Sequence, residues 1–420
     1  MKNYFGLLIL LLCFLYCGCS TYYDMGKLAL ERENYNEASG YYNKELSESP
    51  ANNKAWRDLG IIELKKNNYE EAEKNLKTAF YLDKNDGETL FYIGMLYEKM
   101  NDYDKALTFY GRYTSLGFFD DEIIEKIKGR IELISRKRME MEVKSILQNE
   151  NSIANDTLMD NTLAVLYFQN IGNDKQLNAL QKGLAEMLIT DLSQVKSLKI
   201  VERLKLQMLI NEMKLDSSSL FDQKNAPRFG KLLAVKNLIK GSYFDIDNKK
   251  LSIDASVINV PNGSFKQSKE VTGNISDYFK MQKDLVFNIL DEIGVIPTTE
   301  EREKIKAIPT ESFIAFLKYC RGLELEDQGE YFEAADQFRN AVEIDPSFNL
   351  ARVKYNEVKD MADAVDIEKV ERDISGPDMK IGRLIESNSN LTEELYTGRD
   401  DHNTFTTSGD RAKVTIRVVR

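Results

Sequence analysis

A spacing of 34 residues, repeated near the N-terminus, constrains the fold more than any other feature of this 420-residue chain. Gly26, Gly60 and Gly94 fall one period apart, as do Ala38, Ala72 and Ala106. Tyr35, Tyr69 and Tyr103 form a third column, and Tyr42, Leu76 and Tyr110 a fourth. Four columns in step mark a repeat array, because one structural unit is being copied. Small residues at fixed places let two antiparallel helices approach closely, and the Tyr and Leu columns fill the space between hairpins. A single hairpin cannot bury its apolar face, so neighbouring hairpins must stack into a solenoid.

Trp56-x-x-Leu59-Gly60 and Pro50, closing the first unit, complete a pattern that resembles the tetratricopeptide repeat. The resemblance implies a concave groove lined by the first helix of each hairpin, which holds a partner peptide or helix. On this sequence the implied groove positions are Arg57, Ile61, Phe91 and Met95. Ile61, Phe91 and Met95 would supply apolar contact and Arg57 selectivity, so alanine at Phe91 and Met95 is expected to abolish partner capture with little change in melting temperature. Helical sequence from Phe118 to Gln148 caps the stack, which gives a repeat domain over 19–148. Gly322, Gly329, Tyr331, Ala334, Phe338, Ala341 and Pro346 repeat the motif once more within 308–360. One separated hairpin is not a free-standing solenoid, so it is expected to pack on the central domain or on the array.

Residues 149–161, rich in Asn, Asp, Ser and Thr, read as a linker. After it the pattern changes. Leu163–Phe168 is a short apolar run of strand length. Gln176–Val195 carries helical spacing, Leu198–Val201 reads as a strand, and Glu202–Met213 and Ala226–Val235 read as helices. Asn237–Tyr243, Lys250–Val260 and Ser264–Thr272 read as strands joined at Asp247-Asn248 and Pro261-Asn262-Gly263, with a helix over Ser276–Ile293. The order β-α-β-α-α-β-β-β-α predicts an α/β sandwich over 162–297. The fold class is thus α+β multidomain: an N-terminal α-solenoid, a central α/β sandwich and a C-terminal helical hairpin.

Phe168-Gln-Asn170, Gly183-Leu-Ala-Glu-Met-Leu188, Ile200-Val-Glu-Arg203, Gln207, Glu212 and Leu238-Ile-Lys-Gly241 resemble the core of the curli-secretion lipoprotein (CsgG-like) family and the related TolB N-terminal domain. Pore-forming members insert extra amphipathic hairpins. This core is too short to hold two, and Lys249, Lys250, Asp254, Lys266, Lys269 and Glu270 suit water better than lipid.

The chain opens Met1-Lys2-Asn3, followed by an almost wholly apolar Phe5–Tyr16. Twelve residues of helix reach about 18 Å, short of a bilayer core of roughly 30 Å, so the segment 1–18 reads as a secretory signal. Leu15-Tyr16-Cys17-Gly18-Cys19-Ser20 resembles a lipobox, in which the small Gly18 selects Cys19 over Cys17 for lipidation. Ser20 after the cysteine implies the outer membrane, with the rest of the chain facing the periplasm. Beyond Cys13, Cys17 and Cys19 there remains only Cys320, in an apolar helical setting that reads as a buried thiol.

A net charge of −11 argues against nucleic acid, and the lone His402 against a His triad or multi-His metal site. No phosphate-binding glycine motif and no nucleophile elbow occurs. Asp245-Ile-Asp247-Asn248-Lys249 lacks the Gly and Glu of a calcium loop and reads as a hairpin turn. Glu202-Arg203 reads as a cap and salt bridge. No catalytic residue, cofactor or metal is expected. Charged 361–420 reads as a polar tail, with Lys413–Val419 alternating like a strand. The leading expectation is a lipid-anchored adaptor that binds envelope proteins. The alternative is an oligomeric component of a curli-type secretion channel.

Overall fold

A computed structural model describes residues 21–117, 121–153, 158–214, 226–247 and 249–375. The signal segment, Cys19, His402 and Lys413–Val419 lie outside them.

The periodic region forms three antiparallel helical hairpins: α1 (Tyr22–Glu31) with α2 (Tyr35–Glu48), α3 (Asn53–Lys65) with α4 (Tyr69–Leu82), and α5 (Gly87–Lys99) with α6 (Tyr103–Thr114). The columns have a direct steric meaning. A Cβ on Gly26 would sit 2.7 Å from the Tyr42 ring, on Gly60 2.6 Å from Leu76, and on Gly94 2.7 Å from Tyr110. Each glycine therefore lets the large residue of the fourth column lie against its own hairpin's first helix. Between the two helices the chain turns through a left-handed residue at Glu33, Asn67 and Asn101, with φ of 58°, 59° and 59°. In the C-terminal copy Gly329, at φ 81°, fills the same place, where it carries no Cβ penalty.

The expected cap is α7 (Asp121–Gln148), 28 residues and about 42 Å long. The linker is shorter than its composition suggests: a 3-10 turn occupies Glu150–Ser152, and β1 already begins at Met159. Asp160 and Asn161 sit in an irregularity of the strand between the paired Met159 and Leu163, with Asn161 left-handed at φ 61°. Then follow α8 (Leu180–Leu192), β2 (Lys199–Ile200), α9 (Arg203–Glu212), α10 (Ala226–Leu232), β3 (Val235–Ile246), β4 (Lys250–Asn259), β5 (Phe265–Gln267), β6 (Val271–Asn274) and α11 (Tyr278–Glu292). The expected third strand is split, since β5 and β6 pair with separate halves of β4. The sheet runs β2-β1-β3-β4, with β1 parallel to both neighbours and β3 antiparallel to β4. Leu251, Ile253, Ala255 and Val257 on one face of β4 and Ser252, Ser256 and Ile258 on the other are all buried, so both faces of this strand are covered by protein. Among the described residues no helix is long and apolar enough to cross a membrane.

After α12 (Thr299–Lys306), the C-terminal copy forms α13 (Phe313–Gln328) and α14 (Tyr331–Ile344), continued by α15 (Asn349–Ala364). It packs on both neighbours. At Gly183 of α8 a Cβ would lie 2.0 Å from the Cys320 sulfur, so α13 touches the central domain at van der Waals range. Burial holds the Cys320 thiol well above its ordinary pKa, as for a structural residue. Against α7 it is backbone that meets backbone, because a Cβ on Gly129 would lie 2.0 Å from the Asp360 carbonyl oxygen of α15.

The expected polar tail is corrected at its start. Residues 361–364 complete α15, and Ile367–Ser375 form a further helix, α16, whose Val370 and Ile374 are fully buried. Ile367, Val370 and Ile374 fall on one helical face, a pattern outweighed in the sequence by the charges around it.

Two outcomes follow from the α7–α15 crossing. Gly129→Ala is expected to lower stability by about 1–3 kcal/mol in urea unfolding, despite the gain in helix propensity of about 1 kcal/mol; an unchanged midpoint would show that the crossing is not tight. Burial and the neighbouring Glu125 push the Asp360 carboxyl up to about 6. A raised carboxyl pKa contributes stability that is complete below the ordinary value and lost as pH rises through about 6. Asp360→Asn should therefore raise the melting temperature at neutral pH, with the gain vanishing as pH falls toward about 4.

Candidate functional site

The first helices of the three hairpins, together with α16, enclose a cavity of about 730 Å³. Tyr23 and Lys27 come from α1, Lys54, Arg57, Ile61 and Lys65 from α3, Glu88 and Tyr92 from α5, and Glu368, Glu371 and Arg372 from α16. This is the concave side of the array, the side implied for a partner.

The four implied groove residues divide. Arg57 and Ile61 line the cavity. Phe91 and Met95 do not: Phe91 is 0% exposed and Met95 4%. Phe91 packs edge-on to Tyr92 and Tyr113 and lies 5.9 Å from the Tyr110 ring centroid. The two side chains are core of the third hairpin and its neighbours, because consecutive helical side chains point about 100° apart, so that Phe91 faces inward while Tyr92 looks into the groove.

Arg57 is itself almost fully buried and is tied on three sides. Its Nε donates to Asp58 at 2.9 Å, and its NH1 meets Asp86 at 3.1 Å and Glu88 at 2.9 Å. The guanidinium is pushed well above its usual pKa; burial opposes this, but the three carboxylates outweigh it. Burial raises the Asp58 carboxyl even beside Arg57, and burial raises the Tyr23 hydroxyl further with help from Asp58. Burial also works against ionised Asp86, but Arg57 and Thr89 hold it below the ordinary range. Asp86 caps α5 by accepting from the Thr89 amide, so Arg57 straps the second hairpin to the start of the third. Its role here is to fix the curvature of the groove. The exposed cations on the wall are Lys54, Lys65 and Arg372, with Lys27 half-buried beside them.

Sequence reasoning missed the far wall. Glu371 of α16 accepts from Lys65 Nζ at 2.6 Å and from the Tyr92 hydroxyl at 3.1 Å. Asp373 pairs with Lys126 of α7 at 2.9 Å. The signal was the 367/370/374 apolar spacing.

A second polar cluster lies where α7, α8, α9, α13 and α15 meet. Arg203 bonds Glu186 at 3.0 Å and also pairs with Asp327, which accepts from Lys182 at 2.8 Å. Glu326 pairs with Arg136 and, at 3.3 Å, with Lys354. Burial alone would raise the Glu326 carboxyl, but Lys354, Arg136 and Arg203 hold it below the usual range. Gln207, four residues after Arg203, accepts from the buried Tyr167 hydroxyl at 2.7 Å. Within the Glu-Arg-x3-Gln stretch, Arg203 thus seats the C-terminal hairpin on the central domain, while Gln207 bonds within that domain. Among the described residues no group of His, Cys, Asp and Glu is arranged to hold a metal ion.

Residues 136–276 match the family model of the curli production assembly/transport component CsgG, and residues 23–79 and 88–116 match tetratricopeptide-repeat models. The chain therefore combines tetratricopeptide repeats with a CsgG-like domain. It is similar to the putative adenylate cyclase 3 of Rhizobium meliloti (strain 1021), at 23% identity over 196 residues. That match takes in 45% of this chain and 31% of the relative, so the chain spans about a third of that relative's length. Among solved structures, the C-terminal domain of LpoB from Salmonella enterica is 19% identical with a TM-score of 0.23, covering 32% of this chain and 93% of that one. A tetratricopeptide repeat protein from Parabacteroides merdae is 15% identical with a TM-score of 0.25, covering 80% and 97%. The TPR2AB domain of yeast Sti1 in its pHSP90 complex is 12% identical with a TM-score of 0.29, covering 82% and 96%. The repeats point to protein–protein interaction, and the CsgG-like domain to an envelope- or secretion-related role.

Proposed function

We propose that this chain is an adaptor lipoprotein of the bacterial envelope, anchored in the outer membrane through Cys19 and facing the periplasm, that holds a segment of another protein in its repeat groove. The observation that carries this reading is the cavity on the concave face, whose wall presents Tyr23, Lys27 and Lys54 from two successive repeats. Its shape is held by the buried Arg57 strap, so little ordering is left for a partner to bring about. The central domain and C-terminal hairpin share one continuous apolar core, which suits a rigid platform for docking a larger assembly. The reading assigns no turnover, cofactor or metal.

Lys27→Glu with Lys54→Glu is expected to leave the melting temperature nearly unchanged, as for surface substitutions, and to remove the species crosslinked to the protein in intact envelopes. Phe91→Ala should cost about 3–5 kcal/mol of stability. Persistence of the same crosslinks in the double lysine variant would remove the groove from the reading. Cys19→Ser should release the protein from the membrane fraction; unchanged membrane retention would overturn the anchor.

A further inference from the structure

The groove already holds a helix. α16 lies across Lys65 of the second hairpin, Tyr92 of the third and Lys126 of α7, on the wall formed by first helices. Its seating combines two kinds of contact. Val370 and Ile374, one turn apart, are 0% exposed and join the apolar cluster that contains Ile61, Phe91 and Ile127. Between them Glu371, itself 8% exposed, is held by Lys65 and Tyr92.

We propose that α16 is a resident occupant of the repeat groove, and that the groove's partner is an acidic amphipathic helix of the same design, which competes with α16 for Lys65, Tyr92 and the Ile61 face. The inference rests on the groove being the partner site. Three features separate a displaceable helix from a permanent cap. α16 is nine residues long, below the length at which a helix holds itself together, so it is ordered by its seat. It is attached at one clamped point: Arg130, bonded to Glu98 of the third hairpin, donates to the carbonyls of Ala364 at 3.0 Å and Val365 at 3.1 Å. The end of α15 therefore stays fixed whether or not α16 is seated. Finally, the polar part of its contact with the second and third hairpins is an ion pair and a hydrogen bond, which an incoming carboxylate can replace group for group. Beside it, the cavity between α1, α3 and α16 leaves an entry for the competitor. Seated, α16 covers the third-hairpin end of the groove and raises the affinity a partner needs, by the fraction of molecules in which the site is free.

The test uses the full-length protein and a fluorescein-labelled peptide of residues 364–375, blocked at both ends. It is titrated by anisotropy to the millimolar range, the effective concentration at which a short tethered segment acts. Val370→Asp with Ile374→Asp, which unseats α16, should bind the peptide at least tenfold more tightly than the natural sequence. Adding Lys65→Glu should cancel that gain, and a peptide carrying Glu371→Lys should restore binding to that triple variant. If the double aspartate variant loses its helical circular dichroism, the milder Glu371→Lys full-length protein takes its place, with the same tenfold gain expected. Equal binding to natural and unseated proteins, or no binding to the unseated one, overturns the resident helix. Crosslinks that depend on Lys27 and Lys54 while the peptide fails to compete would leave the adaptor reading standing without it; peptide competition without such crosslinks would do the reverse.

Discussion

The contact on which the rest of the molecule depends is the crossing of α7 and α15 at Gly129, where backbone meets backbone. A side chain there would enter the Asp360 carbonyl, so the two helices can lie this close only without one. α7 is long enough to act as a spine. Ile127 and Ile134 complete the core of the third hairpin, Val143 enters the core of the central domain, and Arg136 reaches Glu326 of the C-terminal hairpin. Because α15 is pressed on α7 at this point, the chain leaves α15 directly beside the groove, and α16 has nowhere else to begin. The geometry of the concave site is thus a consequence of one glycine far from it in sequence.

Charge is used in two different ways around this spine. At the joint of α7, α9 and α13, buried Arg203 and half-buried Arg136 are matched by Asp327 and Glu326, which makes the placement of the C-terminal hairpin specific. Breaking one partner of such a cluster strands the other in a poor solvent, so the joint resists sliding. In the groove, Arg57 is spent inside a strap of three carboxylates, whereas Lys65, 36% exposed at its side chain, meets Glu371 at the edge of water. The first arrangement fixes a shape; the second can exchange one carboxylate for another.

Much of this architecture was legible. The glycine and tyrosine columns named the hairpins because their steric partners lie sixteen residues away in the same unit, and local spacing records local contact. Pro261-Asn262-Gly263 marked its turn because Gly263 needs a positive φ there. The splitting of the third expected strand was not legible, since β5 and β6 exist only as partners of separate halves of β4. Nor was the fate of Phe91 and Met95, which are apolar groove candidates by repeat position and core residues by burial. Which side of a helix faces a neighbour depends on where that neighbour is.

By itself, then, the sequence determined the repeat period, the change to an α/β domain, the separated copy of the hairpin and the absence of familiar catalytic motifs. Each of these is written in periodicity or short-range turn chemistry. Only the tertiary structure decided that Arg57 is a strap, that Arg203 is a joint, and that a charged stretch after Val365 folds as α16 into the groove. Those outcomes join residues as far apart as Lys65 and Glu371, and no spacing in the chain encodes a contact across that distance.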